Sequence, residues 1–418
     1  MHPQPIESIA ACLFAAALIH TFAAKPLERL AHRWPRHAGL FHLLGEVEVV
    51  FGFWAIVLIV AMALALGSGE AIAYAESRDY TEPLFVFVVM VIAGSRPVLA
   101  TVANFVHAAS RLMPLPARVA HTWLGLAVVP LMGSLVTEPA AMTLAALMLA
   151  PLVFRPRVPE RAKYLALGVL FVNVSIGGTL TSYAAPPVLM VAATWQWDSA
   201  YMLANFGWKA ALAVVINASV ATFVLNRHVV ATDDAAAPHE PAAVPWPVVL
   251  IHLALLAGVV VLAHHPVAFL GLFLLFLGVA RAYERHQNPL LIREALLVAF
   301  FLAGLVVLGG LQRWWLQPII SQLEPLMLFF GALGLTAFTD NAALTYLGSL
   351  IPGIGEESKY MLMAGAVAGG GLTVIANAPN PAGLALLRRG FSDESVGAGG
   401  LLLGALAPTV VAATAFLL

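Results

Sequence analysis

Charge is scarce in this 418-residue chain: Asp, Glu, Lys and Arg make up 10% of it, where a soluble domain carries about a quarter. The 21 basic and 22 acidic side chains almost cancel, so there is no broad basic field of the kind that holds nucleic acid. A single cysteine, Cys12, excludes an intrachain disulfide and a cysteine-based metal cluster. No G-x-x-x-x-G-K-[ST] stretch is present, which leaves nothing to suggest ATP-driven pumping, and no nucleophile–base or metal cluster points to a membrane enzyme. Long polar segments are rare too, the one example being HVVATDDAAAPHEPAAVPWP at 228–247. The chain is instead 61% hydrophobic, with a mean hydropathy of +0.90. Apolar runs of about 18 residues or more recur from end to end, each long enough to cross a bilayer as a helix. The chain reads as an all-α, multi-pass membrane protein.

Spans are expected near 7–24, 38–67, 83–108, 163–194, 199–226, 246–263, 266–281, 292–311, 358–387 and 394–417, with apolar segments at 119–153 and 324–352. The first run precedes its basic residues (Lys25, Arg29, Arg33, Arg36), so it is read as a retained span and not a signal peptide. Arg and Lys cluster at 25–36, 111–118, 155–163, 281–293 and 388–389, whereas 68–82, 196–198 and 353–358 are acidic or poor in basic residues. The positive-inside rule assigns the first set to the cytoplasm. Segment 119–153 then begins and ends on the basic side, as a re-entrant hairpin does, and 324–352 begins and ends on the other. The count closes at about ten transmembrane helices plus two re-entrant helical hairpins. The expected organisation is a first repeat at 1–227 (spans in 1–118, hairpin and broken helix in 119–195), a cytoplasmic linker at 228–245, and a second repeat at 246–418 (spans in 246–311, hairpin and broken helix in 324–390).

The hairpin tips carry the signal. SLVTEPAAMTLAALML (134–149) parallels TAFTDNAALTYLGSL (336–350), aligning Thr137-Glu138-Pro139 with Thr339-Asp340-Asn341 at an offset of 202. In the spans that follow, GGTLTSYAAPP (177–187) parallels GLTVIANAPNP (371–381), matching Gly177/Gly371, Thr179/Thr373 and Pro187/Pro381 at an offset of 194. Two matched motifs in the same order, in halves of opposite orientation, are the mark of an inverted-topology repeat. Gly- and Pro-rich sequence inside a span breaks the helix and frees backbone groups, which is tolerated only against protein or a water-filled cavity. Such breaks supply carbonyls for a cation and helix N-termini for negative charge. Burial favours the neutral form of an acid placed there, whereas a bound cation or a helix N-terminus favours the carboxylate, and the opposition allows proton exchange. Candidate ion ligands are Glu138 and Asp340, the two acids that would hold Na+, with Thr137, Thr339, Thr179, Thr373, Asn341, Asn377 and Asn380. Together they would form an oxygen shell suited to a hard cation.

These tip-and-break pairs resemble the ion transporter superfamily, which includes divalent-anion/sodium symporters, arsenite permeases and sodium/proton antiporters. AFTDNAALT resembles the Asp-Asn tip of its antiporter branch, and the whole chain is most similar to a bacterial family of Na+/H+ antiporters. The Ser-Asn-Thr tips of the anion symporters are replaced here by Thr-Glu-Pro and Thr-Asp-Asn, which argues against a dicarboxylate substrate. The resemblance implies a homodimer in the bacterial inner membrane, with a fixed scaffold, a moving transport domain, and no cofactor besides the transported ion.

Other readings stand beside these. Glu138 and Asp340 are also suited to capping the second helix of each hairpin, and the Asn and Thr candidates to satisfying freed backbone groups. Glu46 and Glu48, two apart on one helix, point to different faces, so at most one faces a site and an interdomain role fits better. Arg96 is a candidate counter-charge within the third span. A cation/proton antiporter leads. A Na+-coupled symporter of a small anion remains the alternative, and a channel or non-transporting scaffold would have little use for two opposed broken-helix pairs.

Overall fold

The computed structural model describes residues 5–228 and 244–418, and among them every regular element is a helix. All but the ends of the expected linker at 228–245 lies outside the described residues. Six helices are long and apolar enough to cross a membrane, or up to eight if each bent pair counts as one span. The remaining expected spans are broken into shorter pieces or fall short in length. The expected third span, 83–108, is two helices, Thr81–Ala93 and Arg96–Leu112, meeting at 63°. Ser95 is extended at the start of the second helix and Pro97 occupies its first turn. Proline there cannot extend the helix that precedes it but suits a new one. The expected second span, 38–67, likewise divides at Glu46 into Ala38–Gly45 and Val47–Leu66.

The first hairpin descends through Ala117–Leu126 and Val128–Val136, bent by 43°, and returns as Glu138–Leu149. The second descends as Pro325–Thr336 and returns as Asn341–Ser349. Each is followed by a broken helix: Glu160–Gly177 with Pro186–Trp195, and Glu356–Gly369 with Asn380–Leu387. The packing crosses between the halves. The return arm Glu138–Leu149 lies on Asn380–Leu387, and the return arm Asn341–Ser349 lies on Pro186–Trp195. The Thr345 hydroxyl fixes the latter contact by donating to Pro187 O at 2.9 Å. A second group of helices packs alongside. In it, Val47–Leu66 and Thr81–Ala93 both rest on Ile292–Gly309, and Thr81–Ala93 also meets Trp246–Val261 and Pro266–Ala282.

Burial separates centre from periphery. The span Glu160–Leu180 is 83% buried inside the chain and the one starting at Pro5 only 28%. The broken helix is therefore walled by protein on nearly all sides, as unpaired backbone inside a bilayer must be. Leu64, Phe223, Val261 and Val267 turn outward on the peripheral helices, where lipid replaces water as their solvent.

Candidate ion site at the hairpin tips

Both hairpins turn where a helix must start without neighbours to bond its first amides, and the two tips solve this differently. At the first tip Thr137 is the cap: its hydroxyl accepts from Ala140 N at 3.4 Å. Its φ of 153° is one that a β-branched residue rarely adopts. Glu138 is therefore already inside the helix, and its side chain is free of capping duty. It is fully buried, with Oε2 accepting from Asn377 Nδ2 at 2.9 Å and Oε1 without a partner. The carboxylate lies against Gly178, where an added Cβ would sit 2.4 Å from Oε1. At the second tip the helix starts one residue later. Asp340 is itself the cap, accepting from Ala342 N at 2.7 Å, with the amides of Ala343 and Ala378 also facing its carboxylate. The capping alternative thus holds for Asp340 and fails for Glu138.

The asparagines converge on the second break. Asn377 bridges from it to Glu138. Asn380 donates to Gly370 O and Thr373 O, closing the loop over the break. Asn341 donates to Ser175 Oγ at 3.4 Å, reaching the first broken helix. The side-chain oxygens of all three, with Glu138 Oε1, are buried and have no partner among the described residues. Buried acceptors of this kind are costly to leave unbonded and call for an explanation. Unbonded oxygen acceptors are the donor type a hard cation takes, and Glu138 Oε1 can also carry a proton.

The threonines divide. Thr137 and Thr373 hold tip geometry, Thr373 by donating to Ala337 O at 2.9 Å. Thr179 turns back on Ile176 O at 2.7 Å, as a helix-end hydroxyl does. Thr339 is half-buried at the tip, and its side chain joins none of these contacts.

A cavity of about 20 Å³ opens beside Asp340, room for about one water-sized occupant. Asn377 and Ala378 line it from the break, Phe301 and Val298 from Ile292–Gly309, and Glu48 from Val47–Leu66. Glu46 instead pairs with Arg293, so of the two acids only Glu48 reaches the site. Nothing local in the sequence marks it beyond an acid in the first turn of an apolar helix. A larger cavity of about 650 Å³ lies elsewhere, between Thr81–Ala93, Pro186–Trp195 and the end of Trp246–Val261. It is walled by Glu82, Tyr183, Asp198 and His264. Tyr183 also lines a small cleft that touches Thr137. Arg96, at the bend between Thr81–Ala93 and Arg96–Leu112, lines neither of these cavities.

The family described as "Putative Na+/H+ antiporter" matches residues 5–418, and the chain belongs to that family. No curated protein matches it.

Proposed function

We propose that the chain is a secondary antiporter that exchanges a monovalent cation, Na+, for protons. The observation that carries this is that both buried tip acids adjoin Asn377 of the second break, which donates to Glu138 and shares a cavity with Asp340. Glu138, Asn341, Asn377 and Asn380 leave four acceptors unbonded, and Asp340 borders a cavity of about 20 Å³. A hard cation satisfies such acceptors through oxygen coordination, and protons on Glu138 and Asp340 displace it. If two protons move for one Na+, one net charge crosses per cycle, and the membrane potential contributes about 2.3 kcal/mol per 100 mV.

The two halves are proposed to form an inverted-topology repeat of ten spans and two re-entrant hairpins. The crossed packing of each return arm on the other half's broken helix supports that arrangement. Hairpins and broken helices together would move as a transport domain past a scaffold containing Val47–Leu66, Thr81–Ala93 and Ile292–Gly309. Alternating access then follows from rigid-body displacement of packed groups. The scaffold would carry the contact of a homodimer in the bacterial inner membrane.

Reconstituted protein supplied with Na+, Li+, K+ and an anion panel in turn tests the reading. Sodium-dependent proton flux is expected, with Asp340→Asn and Glu138→Gln each reducing it at least about hundredfold in protein that still folds. Flux like the unaltered protein's in both variants overturns the assignment. Sodium-coupled anion uptake without proton counterflow replaces it with the symporter reading.

A further inference from the structure

We infer that Glu48 is the fixed wall of the Asp340 site, a positioning carboxylate that draws the cation to Asp340 from one face of the membrane only. The inference rests on the antiport reading above and extends it to a residue outside the hairpins and breaks. Three observations meet at this point. Glu48 and Asp340 line the same small cavity, on helices almost three hundred residues apart in sequence. The third polar group in its wall is Asn377, whose side-chain oxygen is buried and unpartnered. The rest of the wall is Val47, Val298, Phe301, Val374, Ile375, Ala378 and Pro381, which offer a cation no competing ligand and no salt screening.

Titratable groups stand on the neighbouring elements, with the exposed His42 on Ala38–Gly45 among them. Glu46, at the cap of its own helix, pairs with Arg293 at the start of Ile292–Gly309, beside Glu294. His20 on the first helix bonds Leu44 O and Trp54. Asp340 faces it from the tip. Glu48 forms no ion pair of its own among the described residues; its carboxylate lines the cavity while also facing its own backbone amide and feeling Arg293 beside Glu46. Two carboxylates across an apolar-walled gap repel, and a cation or a proton between them relieves the repulsion. Because Glu48 sits on the other helix group, displacement of the tip would part it from Asp340. The pair would then exist in one state of the cycle, the one in which this cavity faces the side of Arg293.

The bland role for a first-turn acid is to satisfy the amides of its own helix. The amide of glutamine keeps an oxygen acceptor for them, so Glu48→Gln separates the two. In proteoliposomes with Na+ added to one face at a time, Glu48→Gln is expected to raise the apparent KM for Na+ about tenfold on the Arg293 face. The same variant leaves kcat within about twofold and the opposite-face KM unchanged. Glu48→Asp should fall between, at about a threefold rise, and stands in if the glutamine variant fails to fold. An unchanged KM on both faces, or an equal rise on both, overturns the inference. Absence of sodium-driven proton flux in the unaltered protein overturns the antiport reading itself, so the two failures are distinct.

Discussion

At the first helix break, residues 178–185, the polar groups bond one another. Ser134 on the hairpin donates to Gly177 O at 2.7 Å and accepts from Leu180 N at 2.9 Å. Thr181 donates to Ser134 O at 2.6 Å and Thr179 to Ile176 O. At the second break, residues 370–380, Thr373 still donates to Ala337 O, but Asn377 and Asn380 are added, and their donors are engaged while their oxygens have no partner among the described residues. A hydroxyl both donates and accepts at one atom and can close a local network, whereas an amide carries its donor and acceptor on separate atoms. Two stretches with the same glycine and proline pattern therefore do different work. The first is bonded to its hairpin through Ser134, and the second leaves amide oxygens unbonded.

Within the two breaks the largest expected effect comes from Asn377→Ala, which removes the donor to Glu138 and one of the four free oxygens together. Exchange should fall about hundredfold in kcat/KM, equivalent to about 2.7 kcal/mol. Thermal unfolding in detergent should move by only a few degrees. Flux within about threefold of the unaltered protein's would show that the second break is as structural as the first.

Ser134→Ala should invert that pattern. It strips one donor and one acceptor from the first break, leaving Leu180 N without its partner at a cost of about 2 kcal/mol. The melting temperature should fall, while the KM for Na+ in the folded fraction stays the same. A changed KM with unchanged melting would assign ligand duty to the first break and erase the contrast.

The all-helical chain of apolar spans could be read in the sequence from its hydropathy, and the tip and break motifs that recur at fixed offsets marked where helices turn or break. The placing of Glu138 and Asp340 at hairpin turns followed from the same source. Their division of labour did not. That the first-tip helix already includes Glu138 goes with the backbone of Thr137, and a φ of 153° leaves no trace in composition. The bend before Arg96 was signalled by Ser95 and Pro97, but hydropathy summed over a window cannot register a change of direction. Glu48 was the least legible. Its partner Asp340 lies almost three hundred residues away, and only packing of Val47–Leu66 on Ile292–Gly309 sets the register that turns Glu48, and not Glu46, toward the tip.

The smallest effect belongs to the charge pair just outside that cavity, and it sharpens the contrast between the two acids. Arg293 is 65% exposed and Glu46 28%, and a pair so open to solvent contributes less than about 1 kcal/mol to stability. Arg293→Gln should thus leave melting almost unchanged. Its electrostatic consequence is separate: Arg293 interacts with Glu48 as well as with Glu46. Removing the cation leaves Glu46 uncompensated and makes the approach to Asp340 more negative, so the sign of the effect is toward tighter cation binding. A decrease of about twofold in the KM for Na+ on the Arg293 face is expected at low ionic strength, fading as salt shortens the screening length from about 30 Å at 0.01 M to about 3 Å at 1 M. The KM on the opposite face should not move, because in the proposed cycle Glu48 and Asp340 are apart when the site faces that side. A KM that rises, or that changes equally on both faces, would place the entering cation out of reach of the Glu48 and Asp340 charges and remove the one-sided approach to the second tip.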